Sequence, residues 1–256
     1  REKIVLATKV YGKTNEWGAS DPIKRTDEWV GPNNFGLSAT SIRGAIEKSL
    51  RRLQTDHIDL YQTHHVDRAV PWDELWQTME LLVAQGKITY VGSSNHAGWH
   101  IAQAQEVAGR RNFLGLASEQ SFYNLMERTA ELEVIPACRE YGLGFIPYSP
   151  LNKGRLGGRP NGNESGRRSS LAGSEFDKLE AFSEICNEIG RSEASVATAW
   201  VAQQPGVTSP IVGPRTLEQL EANVDAVSKE LDNETLQRLD ELFPGPGGPA
   251  PEAYAW

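Results

Sequence analysis

Short β-branched runs alternate with longer amphipathic stretches along nearly the whole chain, and this alternation restricts the fold more than any other feature. The strand-like runs are "IVLATKV" (4–10), "DLYQTHH" (59–65), "ITYVGSSN" (88–95), "GLASEQS" (115–121), "GFIPYSP" (144–150) and "SPIVGP" (209–214). Apolar residues recur at helical spacing in 40–53, 71–86, 97–111, 129–142, 174–190, 193–204, 216–230 and 233–243. Strands separated by helices pair in parallel through right-handed crossovers. Two architectures satisfy that rule, a doubly wound open sheet and a (β/α)8 barrel.

The polar ends of the strands favour the barrel. Lys9, His64, Ser94 with Asn95, Gln120, and Tyr148 with Ser149 close five of the runs. In a barrel the C-terminal strand ends converge on one face, where active sites lie. An open dinucleotide-binding sheet would carry GxGxxG between its first strand and helix, and none stands there. The expected class is therefore α/β, a (β/α)8 TIM barrel spanning 1–256 as a single domain. Only six βα units are legible where a barrel needs eight.

Lys9 poses a chemical question. A lysine ending an apolar run either reaches water or has a task that needs positive charge near apolar surface. His64, with His65 beside it, has two comparable readings, a hydrogen-bonded strand-end residue or a catalytic group.

Composition removes several classes. A net charge of -8 and a pI near 5.3 oppose nucleic-acid binding, which needs a concentrated basic face. No run approaches the roughly 18 apolar residues of a membrane span, and the start "REKIVLATKV" lacks the h-region of a signal peptide. A cytoplasmic protein with no membrane partner is expected. Cys138 and Cys186 lie in separate helical patterns without CxxC or histidine at ligand spacing, which reads as buried, reduced thiols and no metal site. The glycine- and serine-rich stretch 152–170 carries Lys153, Arg155, Arg159, Arg167 and Arg168. It reads either as a solvated loop or as a flap over an anionic ligand.

In order along the chain, "DHIDLYQTHHVD" (56–67), "VGSSNHAGW" (91–99), "SEQSFYN" (118–124), "IPYSPL" (146–151) and "PIVGPRTLEQLEANV" (210–224) resemble the motifs of the aldo-keto reductase family. The resemblance implies an NAD(P)H-dependent carbonyl reductase on a (β/α)8 barrel. The family's tetrad is Asp, Tyr, Lys and His, with the tyrosine as proton donor; Lys9 matches the lysine and His64 the histidine. The Asp and Tyr belong to a "DTAxxYG"-like motif upstream of Arg1, so the native protein is expected to be longer. Otherwise a partner chain, as in a homo-oligomer, is expected to cover the open edges at 4–10 and 209–214.

The same resemblance assigns the cofactor side. Ser94, Asn95 and Gln120 suit the donors and acceptors of a carboxamide, and Tyr148 offers a ring for nicotinamide stacking. Ser149, Pro150 and Leu151, with Lys153 and Arg155, would meet the pyrophosphate under a covering loop at 151–173. Gly213 permits close backbone approach, Thr216 can cap a helix whose N-terminus attracts phosphate, and Arg215 sits where a 2′-phosphate would be read. That choice favours NADP(H). Gln219 and Asn223 follow toward the adenine, while Ala222 stands where a glutamate is frequent.

The substrate is expected to be a small carbonyl compound, an aldehyde, ketone or keto-sugar. Trp17 and Trp29, and Tyr254 and Trp256 in the tail 243–256, would either wall an aromatic pocket or pack on the surface. A different function is also compatible with the motifs, that of an NADP(H)-binding regulatory or scaffold subunit without turnover.

Overall fold

The computed structural model of the chain describes residues 1–12, 32–158 and 173–250. The chain forms two compact units, Arg1–Glu119 and Gln120–Trp256. Trp17, Trp29, Arg159, Arg167, Arg168, Tyr254 and Trp256 lie outside the described residues.

In the first unit β1 (Ala7–Val10), α1 (Ala39–Leu53), β2 (Ile58–Thr63), α2 (Trp72–Ala84), β3 (Ile88–Ser94), α3 (Gly98–Arg110) and β4 (Leu116–Gln120) follow the expected alternation, β4 ending on the first residue of the second unit. The strands lie in the order β1-β2-β3-β4. β1 pairs with β2 and β2 with β3 in parallel, with Lys9 opposite Gln62 and Thr63 opposite Ser93. Ile58, Leu60, Tyr61, Gln62 and Thr63 are all buried, as expected of a parallel strand covered on both faces. Ile42, Ala45, Ile46 and Leu50 form the buried stripe of α1, whose start is fixed by the Ser38 Oγ accepting from the Ser41 amide at 3.3 Å. Trp76 of α2 is wholly buried and donates from Nε1 to the Ala104 carbonyl of α3 at 3.0 Å, which locks the two helices together.

The first strand is shorter than its apolar run predicts. Ile4 and Val5 are 59% and 75% exposed, and regular pairing starts only at Ala7. The cause is Asp59, whose carboxylate accepts from the Leu6 amide at 2.7 Å and pairs with Arg1 at 2.7 Å. The Leu6 carbonyl still accepts from the Asp59 and Leu60 amides, at 3.0 and 3.1 Å, but its own amide is taken by a side chain.

The second unit holds α4 (Val134–Glu140), β5 (Gly144–Phe145), α5 (Ser174–Glu188), α6 (Glu193–Gln203), α7 (Leu217–Ser228) and α8 (Asn233–Leu242). Phe145, Leu179, Phe182, Trp200 and Leu239 are fully buried in its core. Cys138 in α4 and Cys186 in α5 are buried and not joined in a disulfide. The helix expected over 129–142 is split into a 3-10 turn at Thr129–Glu131 and α4; Pro136 falls in the first turn of α4, where its missing N–H is not needed.

The expected strands 144–150 and 209–214 need correction. β5 has only two residues, and the second segment makes no strand among the described residues. They meet through isolated parallel bridges, Phe145 with Val207 and Tyr148 with Ile211. Pro147, Pro150, Pro210 and Pro214 carry no amide proton, so a continuous ladder cannot form.

Candidate active site

The first unit gathers Lys9, His64, Ser94 and Asn95 at the C-terminal ends of β1, β2 and β3. The His64 amide donates to the Val10 carbonyl at 2.9 Å, extending the β1–β2 pairing by one step. Lys9 is half-buried, and desolvation lowers its pKa. The His64 pKa is also lowered, first by partial desolvation and then by the positive charge of Lys9 and by His65. His64 is therefore neutral near pH 7, able to donate from one ring nitrogen. The rings of His64 and His65 stack at 4.9 Å and 7°, and Tyr11 sets its edge against His65 at 5.5 Å.

Ser94 is buried, and Asn95 follows in the left-handed region at φ 59°. The Asn95 Nδ2 donates to the His64 carbonyl and to the Ser94 Oγ, both at 3.1 Å, tying the end of β3 to the end of β2.

Two residues passed over in the sequence hold this arrangement. Glu119, fully buried in β4, accepts from the Ser93 hydroxyl and, at 3.1 Å, from the His96 amide. Its carboxylate thus clamps both sides of the Ser94–Asn95 turn. His96 sends Nδ1 to the Ser94 carbonyl at 3.0 Å, and burial pushes its pKa down to about 4. The signal for Glu119 was an acid inside a short strand that begins with Leu116 and Ala117, beside the more conspicuous Gln120.

The second unit carries the remaining candidates in two segments. Gln120 is buried at the end of β4. Tyr148 donates its amide to the Ser121 carbonyl at 3.0 Å and sets its ring 5.5 Å from Phe122. Ser149, Asn152 and Lys153 all have positive φ, 58°, 44° and 56°, although none is glycine. Asn124 Nδ2 braces this turn by donating to the Ser149 carbonyl at 3.2 Å. Left-handed non-glycine residues cost about 1–3 kcal/mol each and cluster at ligand-binding loops. Such turns can point backbone amides at an anion. Pro150 is buried and Leu151 half-buried beside them. Lys153 is exposed, 5.9 Å above the Phe122 ring, while Arg155 pairs with Glu175 at 2.7 Å.

The other segment opens α7. Thr216 caps it, its hydroxyl accepting from the Gln219 amide at 3.3 Å. The Gln219 Oε1 accepts from the Arg215 amide at 2.7 Å. Arg215 is exposed and Asn223 half-buried two turns along. A Cβ added to Gly213 would meet nothing within 4 Å, so its backbone is open to close approach. Within the second unit, the positive-φ turn at 149–153 and the capped, arginine-flanked start of α7 are each backbone arrangements of the kind that suit an anionic group.

Comparison with known proteins identifies the family. The model of the Aldo/keto reductase family matches residues 1–243. The chain belongs to the aldo/keto reductase family. It is 51% identical over 261 residues to the uncharacterized oxidoreductase YrpG of Bacillus subtilis (strain 168), covering 100% of this chain and 77% of that protein. It is 34% identical over 258 residues to the versiconal hemiacetal acetate reductase of Aspergillus parasiticus, covering 95% of this chain and 74% of that one. Family membership makes this an oxidoreductase chain of the carbonyl-reducing kind, with the (β/α)8 barrel as its fold class and the parallel strands and helices described above as its share of it. The family generally uses NAD(P)H. No helix among the described residues is long and apolar enough to cross a membrane.

Proposed function

We propose that the chain serves the NADPH-dependent reduction of an aldehyde or ketone, keto-sugars included, to the alcohol. The observation that carries the reading is the pairing of Lys9 and His64 on adjacent strand ends, with the ammonium close enough to depress the imidazole pKa. When bound, the cofactor supplies the hydride.

The roles follow from charge. His64, neutral, donates a hydrogen bond to the carbonyl oxygen, orienting it and stabilising the negative charge that develops there. Lys9 stabilises the phenolate of the proton-donating tyrosine in the family's tetrad and so lowers a pKa that is about 10 unperturbed. Ser94 and Asn95 hold the carboxamide, with Gln120. Tyr148 covers the ring, and the 149–155 turn meets the pyrophosphate, with Pro150 and Leu151 shaping it. Gly213, Arg215, Gln219 and Asn223 take the adenosine end, with Arg215 on the 2′-phosphate.

The test uses the full-length gene product. NADPH and NADH are titrated by tryptophan fluorescence, then NADPH oxidation is followed with a reactive aromatic aldehyde. Tight NADPH binding with turnover supports the proposal. Binding without turnover toward any of a panel of aldehydes, ketones and keto-sugars would move the chain to the regulatory reading. Absence of NADPH binding would overturn both.

A further inference from the structure

A cavity of about 420 Å³ opens within the first unit, apart from His64, between the 66–71 loop, α2 and α3. Leu75, Trp72, Trp99 and Val66 supply its apolar wall, and His96 and Gln103 are polar groups on its lining. His96 is its chemically distinctive member. The ring is buried, Nδ1 lies 3.0 Å from the Ser94 carbonyl, and Nε2 is buried with no hydrogen-bond partner. A carbonyl can only accept, so Nδ1 carries the proton and Nε2 of the neutral ring presents a bare lone pair. A buried acceptor left without a donor is costly, about 1–3 kcal/mol, and such a group invites a ligand.

The surroundings define that ligand. Asp67, also on the lining, has one carboxylate oxygen accepting from the Leu37 amide at 2.9 Å and the other from the Ala69 amide at 3.0 Å, so it is not held in reserve for a cation. The polar edge of Trp72 is occupied, Nε1 donating to the Gln103 Oε1 at 2.8 Å, and its ring stacks with Trp76 at 6.0 Å and lies 6.1 Å from the His96 ring, so what it offers a ligand is apolar ring surface on the lining. Trp99 is 57% exposed on this lining, one side of its ring against His100 at 3.5 Å and the rest a large open aromatic surface. Arg68 and His100 also line it, the His100 Nδ1 accepting from the Ala97 amide at 3.2 Å, and a concavity of this size with apolar walls and a few convergent polar groups is the ordinary form of a small-molecule site.

We propose that this cavity is a second ligand site, for a neutral aromatic molecule carrying a hydroxyl, whose O–H donates to the His96 Nε2 while its ring lies against Trp72 and Trp99. The site is separate from the one proposed for carbonyl reduction, and the two stand or fall independently. A bound phenol would reach the Ser94 carbonyl through a single imidazole.

The probes are 4-methylphenol and 4-methylanisole, which share a ring and differ in the donor. Each is titrated calorimetrically into the full chain. The phenol is expected to bind about tenfold more tightly, as one hydrogen bond to a buried acceptor provides. His96→Phe should abolish that difference. Ala69→Trp, at an exposed position on the cavity lining, should weaken both ligands without disturbing the His96 hydrogen bonds, which keeps the test decisive should the first variant fold poorly. In protein labelled with ¹⁵N-histidine, the His96 Nε2 resonance should shift with the phenol and not with the ether. Binding that survives Ala69→Trp, equal affinity for the two probes, or no binding of either at millimolar concentration would overturn the proposal, the last outcome meaning that the cavity holds water only.

Discussion

The His64 amide donates to the Val10 carbonyl at 2.9 Å, so the residue that ends β2 is registered against the strand that carries Lys9. Backbone pairing, rather than any direct side-chain bond, sets the distance between the two groups. The arrangement then depends on β1 pairing correctly over only Ala7–Val10, and on Asn95, which donates to the His64 carbonyl from the next strand end.

Arg215 is exposed beside the capped start of α7. Arg215→Ala is expected to weaken NADPH binding by about 10- to 100-fold, as befits a lost charge-assisted hydrogen bond, and to leave NADH binding nearly unchanged. Fluorescence titration of both cofactors checks this. Equal losses would remove the arginine from the 2′-phosphate.

Glu119 accepts from a hydroxyl on one side of the Ser94–Asn95 turn and from an amide on the other. In Glu119→Gln one of those donors would face an NH₂ group inside the core. A loss of about 1–3 kcal/mol in stability is expected, read from the midpoint of urea unfolding. An unchanged midpoint would show that the carboxylate holds nothing.

His96 gives stability a pH dependence of defined sign. Its native pKa lies near 4, below the unfolded value near 6.5, because burial disfavours the charged ring; His100 and His65 add repulsion. Above about pH 6.5 the ring is neutral in both states. As pH falls from 6.5 to 4 the unfolded chain takes up a proton that the native ring does not, so stability falls, by at most about 3 kcal/mol, and below 4 the loss is complete. His64, also lowered, acts in the same direction. Unfolding measured across this window should show a shallower slope in His96→Gln than in the natural protein. Identical slopes would place the acid sensitivity elsewhere.

The alternation of strands and helices was legible because β2 carries Ile58, Leu60 and Tyr61 in a short run bounded by polar segments, and because α1 repeats its buried residues at helical spacing. The segments at 144–150 and 209–214 misled because their apolar residues read as strands while four prolines forbid a ladder. Positive φ at Ser149, Asn152 and Lys153 could not be read from residues other than glycine. Glu119 and His96 were hidden for another reason. The Ser93 hydroxyl and the His96 amide become neighbours of Glu119 only once β3 and β4 are placed side by side, and the His96 bond to the Ser94 carbonyl, though local, depends on the turn at Asn95. The aromatic residues Trp17, Trp29, Tyr254 and Trp256 remain expectations from sequence, since they fall outside the described residues.

Lys9→Met tests the central claim most directly, because methionine keeps much of the side chain's length and removes only its charge. In the full-length gene product the variant should bind NADPH as the natural protein does, while single-turnover hydride transfer to an aromatic aldehyde, followed by stopped-flow absorbance of the reduced nicotinamide, slows by about 10²- to 10⁴-fold, the usual reach of general acid catalysis. Hydride transfer at the full rate in Lys9→Met would contradict the account.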